Sequence, residues 1–312
     1  MKLSDLFSLR RYRECRAIFR SPLAAHLCLS RARSNPARLH LIDGEVLALP
    51  NVREAREMFT WICGGNHSWR IDNIHDDLVE LDNGEYRVAL PVSGESFFAF
   101  SEVFLTDVYR LAKIQRPLGT VVDLGANIGL FASRVAPIAN RVICVEPIVD
   151  NLEIAKSNVH RTEFSDKVSF HHLAIAGRSG QTAKIYLSRS NRGGHSISAE
   201  HVHWWGENGH QEVATISLAD LFEQEAIEEC SLLKCDIEGA EFDVIANSPP
   251  EILARIEQIV MEVHLTTAEW GMVALQQLVE NLSSAGFRIE HEPVPEFTEG
   301  QMPVIMLYAQ RK

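Results

Sequence analysis

The stretch that decides the fold is Val121-Val122-Asp123-Leu124-Gly125-Ala126-Asn127-Ile128-Gly129-Leu130. Its apolar start predicts a buried strand, and the glycine-spaced turn that follows predicts a tight connection into a helix. Turns of this kind bring backbone amides close to a nucleotide-containing ligand at the carboxyl edge of an open sheet. We therefore expect an α/β fold with a cofactor loop at this position.

The spacing of the loop indicates which ligand it holds. It reads Asp-x-Gly-x-x-x-Gly, because Asn127 stands where dinucleotide-binding folds have their second glycine. The Lys-Ser/Thr pair of a phosphate loop is also missing from this turn. An aspartate would repel a pyrophosphate but attract an ammonium group, which favours a nucleoside with a cationic tail such as S-adenosylmethionine. An NAD-dependent oxidoreductase, which uses the same strand, turn and helix, is the alternative.

A second strand-end acid supports a nucleoside ligand. The apolar run Val142-Ile143-Cys144-Val145 leads into Glu146 and Pro147. An acid about twenty residues after the first loop is placed to accept hydrogen bonds from ribose hydroxyls. A solvated glutamate at the end of an ordinary strand is the alternative interpretation.

Composition limits the classes of function. A chain of 312 residues with a net charge of -12 has no overall basic character, which argues against general nucleic-acid binding. The six cysteines form no Cys-x-x-Cys pair, which indicates a reducing compartment. We recognise no signal peptide and no apolar run of about eighteen residues that would span a bilayer, so we expect a soluble cytoplasmic protein.

The amino-terminal part is locally basic. We interpret it as a solvated helical face, with a contact to a membrane surface or an acidic partner as the alternative. A catalytically silent scaffold that binds a partner through this segment is a second hypothesis for the whole protein. The arginines concerned are Arg10, Arg11, Arg13, Arg16, Arg20, Arg31, Arg33 and Arg38.

Two regions follow from the patterning. Residues 1–112 combine helical stretches with a hairpin over 78–90, where Asn83-Gly84 separates alternating apolar runs. We expect this region to serve acceptor binding or oligomerisation, and a homo-oligomer is an open alternative. Residues 113–312 alternate strand and helix and form the cofactor domain. The excursion over 182–216 is too long for a simple connection, and we interpret it as an inserted hairpin with a lid.

The strand pattern of the second region predicts a mainly parallel sheet, because helices separate its first five strands. Too few residues separate the last two strands for a helical crossover, so they should form an antiparallel hairpin. Together these features are typical of class I methyltransferases. Helices should begin where Ser217 precedes Asp220 and where Thr266 precedes Glu269. The predicted strands are 120–123, 141–146, 168–174, 231–236, 257–264, 286–292 and 303–310.

A third motif makes a specific resemblance visible. Lys234-Cys235-Asp236-Ile237-Glu238-Gly239-Ala240-Glu241, followed by Glu262 and His264, resembles the signature of the FkbM family of S-adenosylmethionine-dependent methyltransferases. The Asp123 loop, Glu146-Pro147 and Ala174 match that family in order, over about residues 119–292. The resemblance implies methylation of hydroxyls on sugars, glycans or secondary metabolites. The cofactor-binding residues it implies are Asp123, Gly125, Ala126, Asn127, Gly129, Glu146, Pro147, Ala174, Ile175 and Asp236.

The chemistry indicates candidates for catalysis. Methyl transfer to an oxygen needs an aligned acceptor and removal of a poorly acidic proton. We predict Asp236, Glu238 and His264 as catalytic residues, with Asp236 or His264 as the base. Glu262 and His264 lie two apart on one strand face, where a structural pair is equally expected. We predict no metal, and a divalent cation on these groups is the alternative.

A polar and aromatic patch falls in the predicted lid. His195 and Ser196 are predicted to contact the acceptor, and Trp204-Trp205 to stack on a sugar ring or to anchor the lid. Zinc binding by His201, His203 and His210 is not expected, because no cysteine lies close to them in the sequence. Glu241, near a helix start, is expected to satisfy backbone amides there.

Overall fold

The computed structural model describes residues 16, 20–22, 25, 37–40, 46–49, 68–75, 78–114, 117–188, 193–203, 206–265, 267, 269–293 and 304–312. The chain divides into two units, Met1–Ser101 and Glu102–Lys312. Most of the arginine-rich stretch lies outside the described residues, as do Trp204, Trp205 and Thr266. None of the described helices has the length and apolar character needed to cross a membrane.

The first unit contains two small antiparallel sheets and a helix. Strands β1 (Ala37–His40) and β2 (Val46–Leu49) pair with each other, and β3 (Arg70–His75), β4 (Leu78–Asp82) and β5 (Arg87–Pro91) form the second sheet. Helix α1 (Gly94–Ser101) follows. The predicted hairpin at Asn83-Gly84 is confirmed, because Asp82 pairs with Arg87 across a turn in which Gly84 has a φ of 89°.

The second unit alternates strands and helices in the predicted order. Its elements are β6 (Leu118–Leu124), α2 (Leu130–Val135), β7 (Ala139–Val145), α3 (Val149–His160), β8 (Val168–His171), β9 (Ala174–Ile175), β10 (Thr182–Ser188), α4 (Ala199–Val202), β11 (Glu207–Ile216), α5 (Leu218–Gln224), β12 (Leu232–Cys235), α6 (Glu241–Asn247), α7 (Pro250–Leu253), β13 (Gln258–His264), α8 (Met272–Ser284), β14 (Phe287–Pro293) and β15 (Val304–Arg311).

The main sheet has seven strands in the order β14-β15-β13-β12-β6-β7-β8. The paired neighbours from β13 to β8 are parallel, whereas β15 runs antiparallel to both β13 and β14. The predicted terminal hairpin is therefore confirmed. This order, with one antiparallel strand, is the class I methyltransferase fold.

The register of the central strands places the three sequence motifs at one edge. Asp123 of β6 pairs with Lys234 of β12, and Lys234 pairs with Val260 of β13. The strand order reverses between β6 and β12, and open α/β sheets bind ligands in the crevice at such a point. The loops that follow β6, β7, β12 and β13 therefore meet at this edge.

The third strand of the sheet is shorter than predicted. It ends at His171, so the predicted span 168–174 is wrong at its carboxyl end. Ala174 and Ile175 instead form β9, which pairs in parallel with β11 in a separate three-stranded sheet. The physical reason is burial, because Ala174 packs against apolar side chains of β10 and β11 and Ile175 packs in the main core.

Residues 182–216, which we call the insertion, contain the antiparallel pair of β10 and β11 with the short helix α4 between them. The helix start at Ser217 is confirmed, because its hydroxyl accepts a hydrogen bond from the Asp220 amide at 3.1 Å. The start predicted near Thr266 is wrong, since α8 begins at Met272 with Gly271 as its N-cap. Gly271 leaves the first turn without a side-chain cap.

Candidate active site

The turn after β6 is held by the end of β7. The amides of Gly125 and Ala126 both donate to the carbonyl of Val145, at 2.9 and 3.1 Å. The Asn127 amide donates to Oε2 of Glu146 at 2.8 Å. These three amides are thus occupied by the protein, and they fix the shape of the turn.

The glycines of the turn are required by packing. Gly125 has a φ of 75°, and a Cβ there would lie 1.8 Å from the carbonyl oxygen of Asp236. Gly129 has a φ of 77°, and its Cβ would lie 2.7 Å from Cα of Ala155 in α3. Residues with a side chain rarely adopt a positive φ, and the nearest atoms of Asp236 and Ala155 are backbone atoms that cannot easily move away. Gly125 therefore lets the loops after β6 and β12 touch, backbone to backbone.

Asp123 is a buried carboxylate with unused hydrogen-bonding capacity. It is fully buried, and Nζ of Lys234 lies 3.3 Å from its Oδ1. Neither oxygen makes a hydrogen bond of good geometry to any described residue. Burial raises the pKa of Asp123, and the charge of Lys234 opposes that rise. A buried acid in this state is a ready acceptor for a cationic donor.

Lys234 contacts both the turn after β6 and the turn after β12. Its ammonium donates to the carbonyls of Gly125 at 2.6 Å and Leu124 at 3.3 Å, and it lies 3.6 Å from Oδ2 of Asp236. Burial would lower the pKa of Lys234, but Asp123 and Asp236 outweigh burial, so the pKa is raised. Lys234 is therefore a permanent cation between two carboxylates.

Glu146 is held by backbone amides. It is buried, and its two oxygens accept hydrogen bonds from the amides of Asn127 at 2.8 Å and Ile148 at 3.0 Å. Burial raises its pKa to about 7, and these two hydrogen bonds limit the rise. Each carboxylate oxygen has a second lone pair that can receive a ligand hydroxyl.

The remaining residues implied for the cofactor lie beside this edge. The carbonyl of Pro147 accepts from His172 Nε2 at 3.0 Å and from Gln211 Nε2 at 3.2 Å. The His172 assignment depends on its tautomer. Ala174 and Ile175 are buried in β9. Pro147 thus joins the loop after β7 to β11 of the insertion.

A second group of titratable side chains lies at the carboxyl ends of β12 and β13. We call it the acid-histidine cluster. His264 is at its centre, with Nδ1 at 3.1 Å from Glu241 and Nε2 at 3.3 Å from Glu238 and 3.6 Å from Glu262. His201 of α4 lies 2.7 Å from Oε2 of Glu238. The members are Asp236, Glu238, Glu241, Glu262, His201 and His264.

The charge of His264 bears on its predicted role as a base. Burial would lower the pKa of His264, but Glu238 and Glu241 outweigh burial and raise it well above its usual value. A protonated imidazole cannot accept a proton. In this arrangement Asp236, whose side chain is 24% exposed, is the better candidate for receiving the acceptor's proton.

Glu241 closes the turn before α6. Its Oε1 accepts from the amides of Ile237 and Gly239, both at 3.1 Å, in addition to its contact with His264. Glu238, in the same turn, has a φ of 52°. A Cβ on Gly239 would overlap the ring of Trp270 at 1.8 Å. Glu241 thus stabilises the turn that contains Glu238 through hydrogen bonds to the turn amides.

The insertion reaches the cluster through two side chains. Besides His201, Ser196 donates from its hydroxyl to the Glu238 carbonyl at 2.6 Å. Nδ1 of His195 accepts a hydrogen bond from the Ser188 amide at 2.9 Å. His201 is fully buried, whereas His203 and His210 are exposed. The structure therefore brings Ser196 onto the turn that follows Asp236.

Sequence reasoning missed two residues of this edge. Tyr109 is buried, its ring lies 5.9 Å from Nζ of Lys234, and burial and the charge of Asp236 raise its pKa. His201 was considered only as a zinc ligand. Neither lies next to a motif in sequence. The one available signal for His201 is its position in a segment with several histidines.

A protein-family model matches the region that carries this site. The model of the Methyltransferase FkbM domain matches residues 123–289, which is more than half of the chain. The fold and the site define a class I methyltransferase. The chain belongs to the FkbM methyltransferase family.

Two curated relatives are similar to parts of the chain. The 31-O-demethyl-FK506 methyltransferase FkbM of Streptomyces tacrolimicus is 28% identical over 71% of this chain and 94% of its own length. The AMB antimetabolite synthetase AmbE of Pseudomonas aeruginosa is 26% identical over 60% of this chain, which spans 10% of that protein. A crystal structure of methyltransferase FkbM from Methylobacillus flagellatus KT has a TM-score of 0.42 at 13% identity, over 67% of this chain and 47% of that one.

Family membership decides between the enzyme hypotheses. A methyltransferase domain spans the Asp123 loop, Glu146 and the acid-histidine cluster. The NAD-dependent oxidoreductase alternative is therefore rejected, whereas the silent scaffold stays an untested hypothesis.

Proposed function

We propose that the protein is an S-adenosylmethionine-dependent O-methyltransferase that methylates a hydroxyl of a sugar, a glycan or a secondary metabolite. The observation that carries this proposal is Asp123, whose buried carboxylate makes no hydrogen bond of good geometry to a described residue. It lies at the carboxyl edge of the sheet, where the strand order reverses. Such an acid suits an ammonium group and would repel a phosphate.

The residues present fit this cofactor. Asp123 would hold the ammonium group, and Glu146, with a free lone pair on each oxygen, would accept the ribose hydroxyls. Asn127 adds a buried side-chain oxygen without a described partner. When bound, the cofactor supplies a methyl group that is open to nucleophilic attack.

The protein's task is then to prepare the acceptor oxygen. Asp236 follows β12, exposes part of its carboxylate and is held 3.6 Å from Lys234, so it can orient the hydroxyl and receive its proton. Glu238 and His264 are engaged with each other and with His201, which makes them positioning residues for the turn. This assignment keeps all three predicted residues and gives the proton to Asp236.

Oxygen as the acceptor atom is supported by the name of a relative. The relative from Streptomyces tacrolimicus is named as acting on 31-O-demethyl-FK506, and this chain aligns with 94% of its length. Acceptor selection by residues 1–112, a lid over 182–216, a homo-oligomer and a cytoplasmic location stay predictions.

Transfer of a labelled methyl group to a panel of acceptors tests the proposal. The panel should pair each sugar or polyketide alcohol with its O-methylated and its amino analogue. We expect label only in the free alcohols, in an alkali-stable ether product. Label in the amines or in an alkali-labile ester would contradict O-methylation. The Asp236→Asn variant should bind S-adenosylhomocysteine normally and lose turnover.

A further inference from the structure

We infer that the acid-histidine cluster binds one divalent cation through Asp236, Glu262 and His264. This inference rests on the proposed function and adds to it, because the cation would hold the acceptor hydroxyl. The three side chains each offer one ligand atom, and these atoms lie within 4.8 Å of one another.

The first support is the state of Glu262. Its side chain is 8% exposed, and it makes no hydrogen bond within the part of the chain that the structure describes. The nearest cationic group is Nε2 of His264, at 3.6 Å. A mostly buried carboxyl group that makes no hydrogen bond is costly to ionise, and a coordinated cation is one arrangement that compensates this cost. Glu262 faces the same group of atoms as Asp236 and His264.

The second support is the orientation of His264. Its Nδ1 lies 3.1 Å from Oε1 of Glu241, which is fully buried and fixed by the amides of Ile237 and Gly239. A carboxylate on one ring nitrogen fixes the proton there and turns the other nitrogen toward a metal. Here that other nitrogen, Nε2, faces Glu262 and Glu238.

The third support is charge. Five carboxyl groups meet at this edge, and they outnumber the cationic and titratable partners even if both histidines are protonated. The carboxyl groups are Asp123, Asp236, Glu238, Glu241 and Glu262, and the partners are Lys234, His201 and His264. A divalent cation would offset most of this excess. When it binds His264, any proton on Nε2 leaves to solvent.

The ligand set indicates the type of ion. Two carboxylates and one imidazole suit Mn²⁺ better than Mg²⁺, which prefers oxygen alone. Two ligand atoms that are each about 2.1 Å from an ion lie at most about 4.2 Å apart, so the cluster needs to contract by up to about 0.6 Å. Three protein ligands leave coordination positions free. Asp236 is the exposed member, so those positions face the acceptor, and a bound hydroxyl would become more acidic there.

Titration with Mn²⁺ in the presence of S-adenosylhomocysteine tests the inference. The protein is first treated with a chelator, and binding is followed by calorimetry and by the electron paramagnetic resonance signal of free Mn²⁺. We expect one site, with affinity lowered at least about tenfold in Glu262→Gln and Asp236→Asn. The Glu280→Gln variant removes a carboxylate of α8 outside the cluster and should bind like the wild type.

Several results would overturn the inference. They are a wild-type protein that binds no Mn²⁺, equal binding in the Glu262→Gln variant, and full methyl transfer after exhaustive chelation. Normal binding of S-adenosylhomocysteine by each variant shows that it is folded, and Asp236→Asn serves if Glu262→Gln does not fold. Loss of Mn²⁺ binding alone would leave the methyltransferase proposal standing. Failure to bind S-adenosylhomocysteine would refute that proposal separately.

Discussion

The two sides of the sheet edge are built in different ways. On the β6 and β7 side, hydrogen bonds between Glu146, the loop amides and the carbonyl of Val145 fix the turn. On the β12 and β13 side, the acid-histidine cluster is held mainly by contacts between charged side chains from separate segments. The first side is pre-organised for one cofactor.

The largest effect is expected where the two sides touch. Gly125→Ala places a methyl group 1.8 Å from the Asp236 carbonyl oxygen, so both loops must move. We expect a loss of more than about 4 kcal/mol in unfolding free energy or failure to fold. Gly180 is a matched control, because its φ of 72° is similar and its Cβ would meet nothing within 4 Å.

Gly180→Ala should therefore lower the unfolding free energy only by the cost of a positive φ in a residue with a side chain, about 1–2 kcal/mol. Urea denaturation measures both variants. Equal losses would show that backbone conformation, and not contact between the loops, explains the glycine.

Lys234 is the side chain shared by the two sides. Lys234→Met leaves Asp123 buried without its cation, which should cost about 3–5 kcal/mol. Adding Asp123→Asn removes the unpaired charge, so the double variant should recover part of the loss. Denaturant titrations of the four proteins give the coupling free energy. Additive losses would contradict the ion pair.

His201 links the insertion to the cluster. His201→Gln should weaken the contact with Glu238 and speed hydrogen exchange over residues 193–203, with a cost of about 1–3 kcal/mol. Binding of S-adenosylhomocysteine should not change, because the other side is held independently. The exposed neighbour His203→Gln is the control. Similar exchange in both variants would show that His201 does not anchor the insertion.

The smallest effect concerns pH. Burial raises the pKa of Glu146 to about 7, and ribose hydroxyls donate to its ionised form. Affinity for S-adenosylhomocysteine should therefore rise about tenfold from pH 6 to pH 8 and level off above the pKa. Glu146→Gln should bind more weakly than the wild type above pH 7 and should show a smaller pH dependence. Calorimetry at several pH values measures this, and a flat wild-type profile would contradict it.

The sequence predicted those features of the fold and site that depend on a short stretch of the chain. The Asp123 turn, the acid after β7 and the antiparallel end of the sheet each depend on a short stretch whose pattern is visible. The class of fold and the family followed from those stretches. Strand ends were less accurate, because Ala174 and Ile175 pair with a strand about forty residues later, in the insertion.

The cluster was only partly predictable. Asp236, Glu238 and His264 were recognised as one group, but the contact of Glu241 with His264 depends on how two loops pack. His201 and Tyr109 reach the edge from segments without a motif. The sequence pattern was interpreted as glycines that let a ligand approach the turn, whereas the contact between the loops after β6 and β12 explains Gly125. Such non-local packing leaves no periodic signal in a single sequence.

Calorimetric titration with S-adenosylhomocysteine, with NAD as the parallel control, tests the central claim most directly. We predict one site of micromolar affinity for S-adenosylhomocysteine, weakened at least about tenfold by Glu146→Ala and unchanged by Asp236→Asn. NAD should not bind. Binding of NAD alone, or equal weakening by both variants, would contradict a cofactor site on the β6 and β7 side that is separate from the acceptor side.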